Sequence, residues 1–207
     1  MRDNGFSSEI TKESFYAVGY DVEFKWVPWN RAVAMVKNGD SEVLMGAYFT
    51  EERSKFLHYS KPISKSNMVF FQRKNSEITY SKLQDLSRFK IGIVKGYANT
   101  KDFDEASYLN KVEGNNTDVQ IRMLLDNRID LLINSREVIL YTLKERFTNS
   151  YSELKLVEPP LQSSDLHVCF SMKIPNGKQI QEDFDKGFEI ITKNRKLDEI
   201  LNKHGMK

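Results

Sequence analysis

Disulfide chemistry is excluded at once, because the 207-residue chain holds a single cysteine, Cys169. One cysteine also rules out a Cys-based zinc cluster. Cys169 lies inside the apolar run "LHVCFSM", where a small buried hydrophobe is the expected role. Histidine is scarce as well. His58, His167 and His204 stand far apart, without the H-x-x-x-H or H-E-x-x-H spacing that a metal needs, so all three are read as structural and no metal is expected. No stretch approaches the ~20 apolar residues of a membrane helix. The opening "MRDNGFSSEI" lacks the charged start and apolar middle of a signal peptide. Neither sign of charge dominates: 31 Lys and Arg are interleaved with 29 Asp and Glu, leaving +2. A nucleic-acid partner needs a basic stripe on one face, and none is visible. Glycine loops are missing too. "KGYAN" carries one glycine where a phosphate-cradling loop needs two and a Lys-Ser/Thr pair, and no G-x-S-x-G elbow occurs. Carboxylate pairs such as Glu51-Glu52 are common on surfaces and do not define acid–base chemistry. Neither a cofactor nor an enzyme is expected.

What is present is an ordinary globular mixture, 40% hydrophobic and 29% charged, of a length that suits one or two domains. Val22, Phe24 and Trp26 in "DVEFKWV" alternate with polar residues and predict a strand. "PWNRAVAMVKNGD" predicts a helix, with Pro28 near its start, Ala32, Met35 and Val36 on one stripe, and Gly39 as its cap. "EVLMG", "KIGIVKG" and "IDLLINS" read as short buried strands, and "LKLVEPP" and "LHVCFSM" as two more. "NTDVQIRMLLDNR" reads as a helix opened by the capping-box pattern Thr117-x-x-Gln120. Another helix spaces Ile139, Leu143 and Phe147 four apart. Near the end, Ile180, Phe184, Phe188 and Ile191 form one face of a long helix, and "KLDEILNKHG" a last short one. Strands alternating with helices imply the α/β class, with parallel sheets covered by helices. No internal repeat or low-complexity segment is found.

The stretch "LMGAYFTEERSKFLHYSKP" carries the most specific signal. An apolar strand breaks at Gly46, and Thr50, Glu51, Glu52 and Arg53 come next in one short polar turn. Gly46, Thr50, Arg53, Ser60 and Pro62 stand at the spacings of family 3 of the bacterial extracellular solute-binding proteins, the periplasmic receptors of ABC importers, and the chain resembles that family. "LSRFKIGIVKGYANTKDF" resembles the family's strand and ligand loop, and "MLLDNRIDLLINSREV" its later Arg-x-Asp strand with the polar residue after it. The resemblance runs from about Gly5 to Gly205.

The resemblance implies a type II periplasmic-binding fold: two α/β lobes, each a mainly parallel sheet flanked by helices, joined by two hinge crossings. Residues 1–66 with 170–207 would form lobe 1, and 67–169 lobe 2. It implies that Arg53 holds a ligand carboxylate, a task for which the planar guanidinium fork is suited, with Thr50 beside it. The remaining expected site residues are Tyr48, Gly46, Gly96, Tyr97 and Asn134. Only one of Tyr48 and Phe49 can face a cleft if the segment stays extended. Backbone N–H groups near Gly96 and Tyr97 are expected to support the anion. The family's amino-acid receptors place an Asp after the second-lobe strand to hold the ligand ammonium, and here Asn134 is read at that position. An ammonium there would lack its charge-assisted partner. The ligand is therefore expected to be a carboxylate, amino-acid-like but not a standard α-amino acid held in the usual way. The other role open to Asn134 is to cap the following helix. Glu137 is expected on that helix's solvated face. A periplasmic location, a partner permease and a monomer are implied. Family members open with a strand before the position of Gly5, so a truncated start is expected, with a dimer if that strand is supplied in trans. The same fold also serves ligand-sensing receptor domains and, rarely, dehydratase-like enzymes.

Overall fold

The computed structural model describes residues 5–204. The chain divides into two compact units, residues 1–65 with 165–207, and residues 66–164.

In the first unit, helix α1 (Phe6–Tyr16) packs on α6 (Gly177–Lys193), and α7 (Lys196–Lys203) packs on both. The approach of α1 to α6 is unusually close. A Cβ placed on Gly187 would lie 1.8 Å from the Ser14 carbonyl oxygen, so only glycine fits there. Helix α2 (Trp29–Asn38) starts after Pro28 and ends at Gly39, as the sequence pattern predicts. The sheet of this unit is built on the C-terminal part of β7 (Leu154–Ser171), which pairs antiparallel with β1 (Val43–Tyr48) and with β2 (Leu57–Tyr59). Alternation along β7 separates two cores. Leu166, Val168 and Phe170 join Phe15, Ile180 and Phe184 on one face. Cys169 joins Val36, Leu44, Ala47 and Leu57 on the other. Burial raises the Cys169 thiol pKa far above its usual value, which suits the small buried hydrophobe read from the sequence.

The second unit holds β3 (Ser64–Arg73, from Ser66 on), β4 (Lys90–Val94), β5 (Asn110–Gly114), β6 (Leu131–Ser135) and the first part of β7. The strand order is β7-β3-β6-β4-β5. Here β5, β4 and β6 are parallel, while β6 meets β3 antiparallel. Parallel pairing thus holds in this unit, whereas the described ladders of the first are all antiparallel, because its strands pair with the returning β7. Helices α3 (Lys101–Glu105), α4 (Thr117–Leu125) and α5 (Arg136–Arg146) complete the unit. Val69, Ile121, Leu132, Ile139 and Leu143 form its core. Arg73 ties β3 to the α4–β6 turn, donating to the carbonyls of Leu124 (2.8 Å) and Ile129 (2.7 Å).

Four expectations need correction. The alternating segment Val22–Trp26 carries no strand ladder, since no described strand lies beside it to receive its hydrogen bonds. "LKLVEPP" and "LHVCFSM" are one 18-residue strand, β7, which runs through both units. Helix α4 is capped by Asn116, whose side chain accepts from Val119 N–H at 2.9 Å, and not by Thr117. Gln120 is turned inward instead, donating to Val112 O at 3.0 Å. Finally, Phe147 lies just past the end of α5.

Candidate functional site

In the first unit, β1 does not end at Gly46 but bulges there. The register shifts between Met45 and Ala47, and Gly46 sits at φ 74°, a conformation that costs a side-chain-bearing residue roughly 1–2 kcal/mol. The bulge carries the strand two residues further and re-aims the turn beyond it. Tyr48 packs its ring against the core of Phe15 and Phe170, and Phe49 is the exposed aromatic, tilted on Tyr59 at 5.2 Å. Tyr48 therefore offers the turn its carbonyl oxygen, which accepts from Arg53 Nη1 and from the Tyr59 hydroxyl, both at 3.5 Å.

Thr50 organises the turn. Its hydroxyl oxygen accepts from Arg53 N–H at 3.1 Å, and its carbonyl from Ser54 N–H at 2.9 Å. These bonds set Arg53 at the head of a short 3-10 turn (Arg53–Lys55) and drive its side chain inward. Arg53 is only 8% exposed, with its guanidinium 5.3 Å from the Trp29 ring centroid. No carboxylate among the described residues pairs with it. A guanidinium carries five N–H donors, and burying its charge without an anion is costly. The ring partly compensates, by ~0.5–2 kcal/mol for a contact of this kind. Burial pushes the Tyr59 hydroxyl up to about 12, while the Thr50 backbone hydrogen bond and the Arg53 charge pull the other way. Tyr59 therefore stays a neutral donor. His167 stands edge-on to Tyr59 at 5.4 Å, its Nδ1 2.8 Å from the Ser60 carbonyl, which fixes Nδ1 as the donor. The structure thus brings Gly46 and Tyr48 of β1 together with Thr50 and Arg53 of the turn after it.

In the second unit, Gly96 (φ 77°) comes after β4 in a turn closed by Tyr97 N–H donating to Val94 O at 3.0 Å. That bond occupies the Tyr97 N–H expected to face an anion. The Gly96 N–H has no partner among the described residues. Asn134, 3% exposed on β6, is used locally: its amide donates to Thr117 Oγ1 (3.3 Å) and its carbonyl accepts from Ser135 N–H (2.8 Å). The N-cap position of α5 belongs to Ser135, so Asn134 does not cap that helix.

Glu137 departs most from expectation. It is partly buried, and its Oε2 accepts from Ser135 Oγ at 2.8 Å and from Ser66 Oγ at 2.9 Å. The two serine oxygens lie 2.8 Å apart. The sequence placed Glu137 on a solvated face because nothing in its helical position announces a partner 71 residues away. The Glu137 carboxylate, in the first turn of α5, is thus held by two hydroxyls. Among the described residues no cluster of three or more His, Cys, Asp or Glu side chains could hold a metal.

The folding pattern is that of the type II periplasmic-binding class. The chain belongs to the bacterial extracellular solute-binding proteins, family 3, whose profile matches residues 2–207. It is 25% identical over 142 residues to a "probable histidine-binding protein" of Neisseria gonorrhoeae, a match covering 65% of this chain and 52% of that protein. The matched region thus spans about half the length of that curated relative. Among solved structures, a mutant of ArgBP from T. maritima superimposes with a TM-score of 0.84 at 16% identity, over 98% of this chain and 86% of that one. A histidine kinase sensor domain with similarity to periplasmic binding proteins gives 0.86 at 20%, over 96% and 85%. An ancestral arginine-binding protein bound to arginine gives 0.82 at 21%, over 96% and 87%.

Proposed function

We propose that the chain binds a small amino-acid-like solute as the substrate-binding component of an ABC importer in the periplasm, without catalysis. The observation that carries this reading is Arg53, a buried guanidinium with no carboxylate partner among the described residues. A ligand carboxylate would supply the missing charge through two parallel bonds, with the Thr50 hydroxyl available as a further donor. In the second unit Glu137 is a carboxylate held by two hydroxyls, a group able to compensate a cation. This widens the expectation drawn from Asn134, because the unit does hold a carboxylate close to the strand end. The "probable histidine-binding" relative and the arginine-bound neighbour support a solute that carries both a carboxylate and a cation.

Mass spectrometry of small molecules released from the purified protein tests the reading, followed by calorimetry with what is found. A carboxylate-bearing solute that binds and is recovered unchanged is expected. A released ligand with no anionic group, or turnover of the bound solute, overturns it. A sensing role is the second reading, favoured by the likeness to the histidine kinase sensor domain. It differs in partner and not in ligand chemistry.

A further inference from the structure

Tyr59 closes β2 and lies outside the residues that the resemblance implies for the site. Its ring is firmly held. Phe49 is tilted on it at 5.2 Å, His167 stands edge-on at 5.4 Å, and the ring packs against the core of Val36, Leu44 and Cys169. His167 is fixed in turn by the Ser60 carbonyl, 2.8 Å from its Nδ1. Ser60 is tied to β7, donating its N–H to Val168 O at 2.9 Å and accepting at Oγ from Val168 N–H at 3.0 Å. Only the hydroxyl hydrogen of Tyr59 is left to turn toward an acceptor.

That acceptor is poor. Among the described residues the hydroxyl reaches Tyr48 O, at 3.5 Å, where an O–H···O bond ordinarily spans ~2.5–3.0 Å. Arg53 Nη1 stands at the same 3.5 Å from the same oxygen. Two donors therefore converge on one carbonyl, and neither makes a bond of ordinary length to it. A buried tyrosine hydroxyl usually finds a partner. Burial governs this one and keeps it protonated, with its pKa pushed up to about 12, and the charge of Arg53 is felt at its oxygen.

We propose that Tyr59 is a further ligand-binding residue, whose O–H donates to the solute carboxylate beside Arg53. The inference rests on the reading of Arg53 as the carboxylate anchor. A carboxylate offers about four acceptor sites, and a guanidinium bonding through two parallel N–H groups fills two of them. The Tyr59 hydroxyl can take a third. It brings no second charge into the site, so it adds a donor without repelling Arg53. The clamp of Phe49 and His167 fixes the ring before the solute arrives, and little freedom is lost when the bond forms. A phenylalanine at this position would fill the same space and leave that acceptor site empty.

Titration calorimetry compares the native chain with Tyr59→Phe and Arg53→Met, using L-arginine, L-histidine and acetate, the last as the smallest carboxylate and taken to high concentration. Tyr59→Phe is expected to weaken the probes that bind by at least about tenfold, the worth of one hydrogen bond to a charged group. Its ligand-free melting temperature is expected to match the native value, because the bond to Tyr48 O is long. Unchanged affinity in Tyr59→Phe, with binding weakened in Arg53→Met, overturns this proposal and leaves the Arg53 reading standing. A lower ligand-free melting temperature with unchanged affinity assigns the hydroxyl to the fold and overturns it as well. Probes that bind Arg53→Met as tightly as the native chain, or a native chain that binds none of the three, overturn both readings.

Discussion

Replacing Arg53 by Met separates a binding arginine from a structural one. The side chain is 8% exposed and stacks its charge on Trp29, but pairs with no described carboxylate, and its guanidinium hydrogen bond among the described residues, to Tyr48 O, is long at 3.5 Å. Without ligand, the substitution keeps an apolar stem of similar volume and removes a buried charge. Exchanging buried ionic groups for well-packed apolar ones is often neutral or stabilising by ~1–4 kcal/mol. The ligand-free melting temperature of Arg53→Met should therefore stay level or rise. With ligand the sign reverses. A solute at about 100 times its Kd adds about 2.7 kcal/mol of stability, or roughly 5–11 °C at ~2–4 °C per kcal/mol for a chain of this size. Truncating one partner of a buried charge pair costs about 2–5 kcal/mol, so Kd should rise at least ~27-fold. At the same solute concentration the ligand would then add no more than ~0.9 kcal/mol, about 2–4 °C. Differential scanning calorimetry of both proteins, with and without the solute released from the native preparation, reads both quantities. A Met variant that melts several degrees lower without ligand, yet keeps its full ligand-induced rise, would refute the assignment.

Glu137→Gln should weaken solutes that carry a cation by roughly tenfold or more, the worth of a charge-assisted bond at ~1.5–3 kcal/mol, while sparing purely anionic carboxylates; titration calorimetry showing an equal loss for both classes would contradict this. Gly187→Ala drives a Cβ toward the Ser14 carbonyl, and overpacking of ~1–3 kcal/mol should lower the melting temperature by about 2–12 °C, despite alanine's better helix propensity. Glu9 links α1 to α7 through His204 Nε2 at 2.8 Å and Lys203 Nζ at 3.1 Å. Its burial would raise the carboxyl pKa, but the bonds to His204 and Lys203 outweigh burial and lower it below 4.5. Its contribution is therefore complete above the unfolded value and is lost as pH falls through the lower folded one. Melting curves taken between about pH 6 and pH 3 should show Glu9→Gln less stable by about 1 kcal/mol at the upper end and level with the native protein at the lower. A difference that does not shrink on acidification would disprove the pairing.

The elements legible in the sequence are those whose reasons are local. Helix α2 announces itself by Pro28, its apolar stripe and Gly39, and β4 and β6 by short apolar runs between breakers. Helix α1 gives little apolar signal, because it buries Ser8, Thr11 and Ser14 with only Ile10 and Phe15 beside them, and α6 reaches the Ser14 backbone at Gly187. β7 read as two strands because Pro159 and Pro160, with the polar run after them, mimic a break; their exposed stretch tolerates the missing N–H donors. The segment Val22–Trp26 shows the opposite failure, since alternation states how side chains would fit a sheet and not whether a partner strand exists.

The candidate site divides along the same line. Arg53 is reached through Thr50, three residues earlier, so the spacing Thr-x-x-Arg contains the geometry that turns the guanidinium inward. Glu137 takes its meaning from Ser66, brought beside it by the antiparallel meeting of Met68 with Ser135 across β3 and β6. Helical position alone predicts solvent for such a glutamate, and only the strand register supplies the second hydroxyl. A side-chain arrangement built within one turn is legible in a sequence; one assembled from β3, β6 and α5 waits for the fold. The resemblance instead points to Asn134, at the position where the family's amino-acid receptors place an Asp, and its side chain is committed to Thr117 and Ser135.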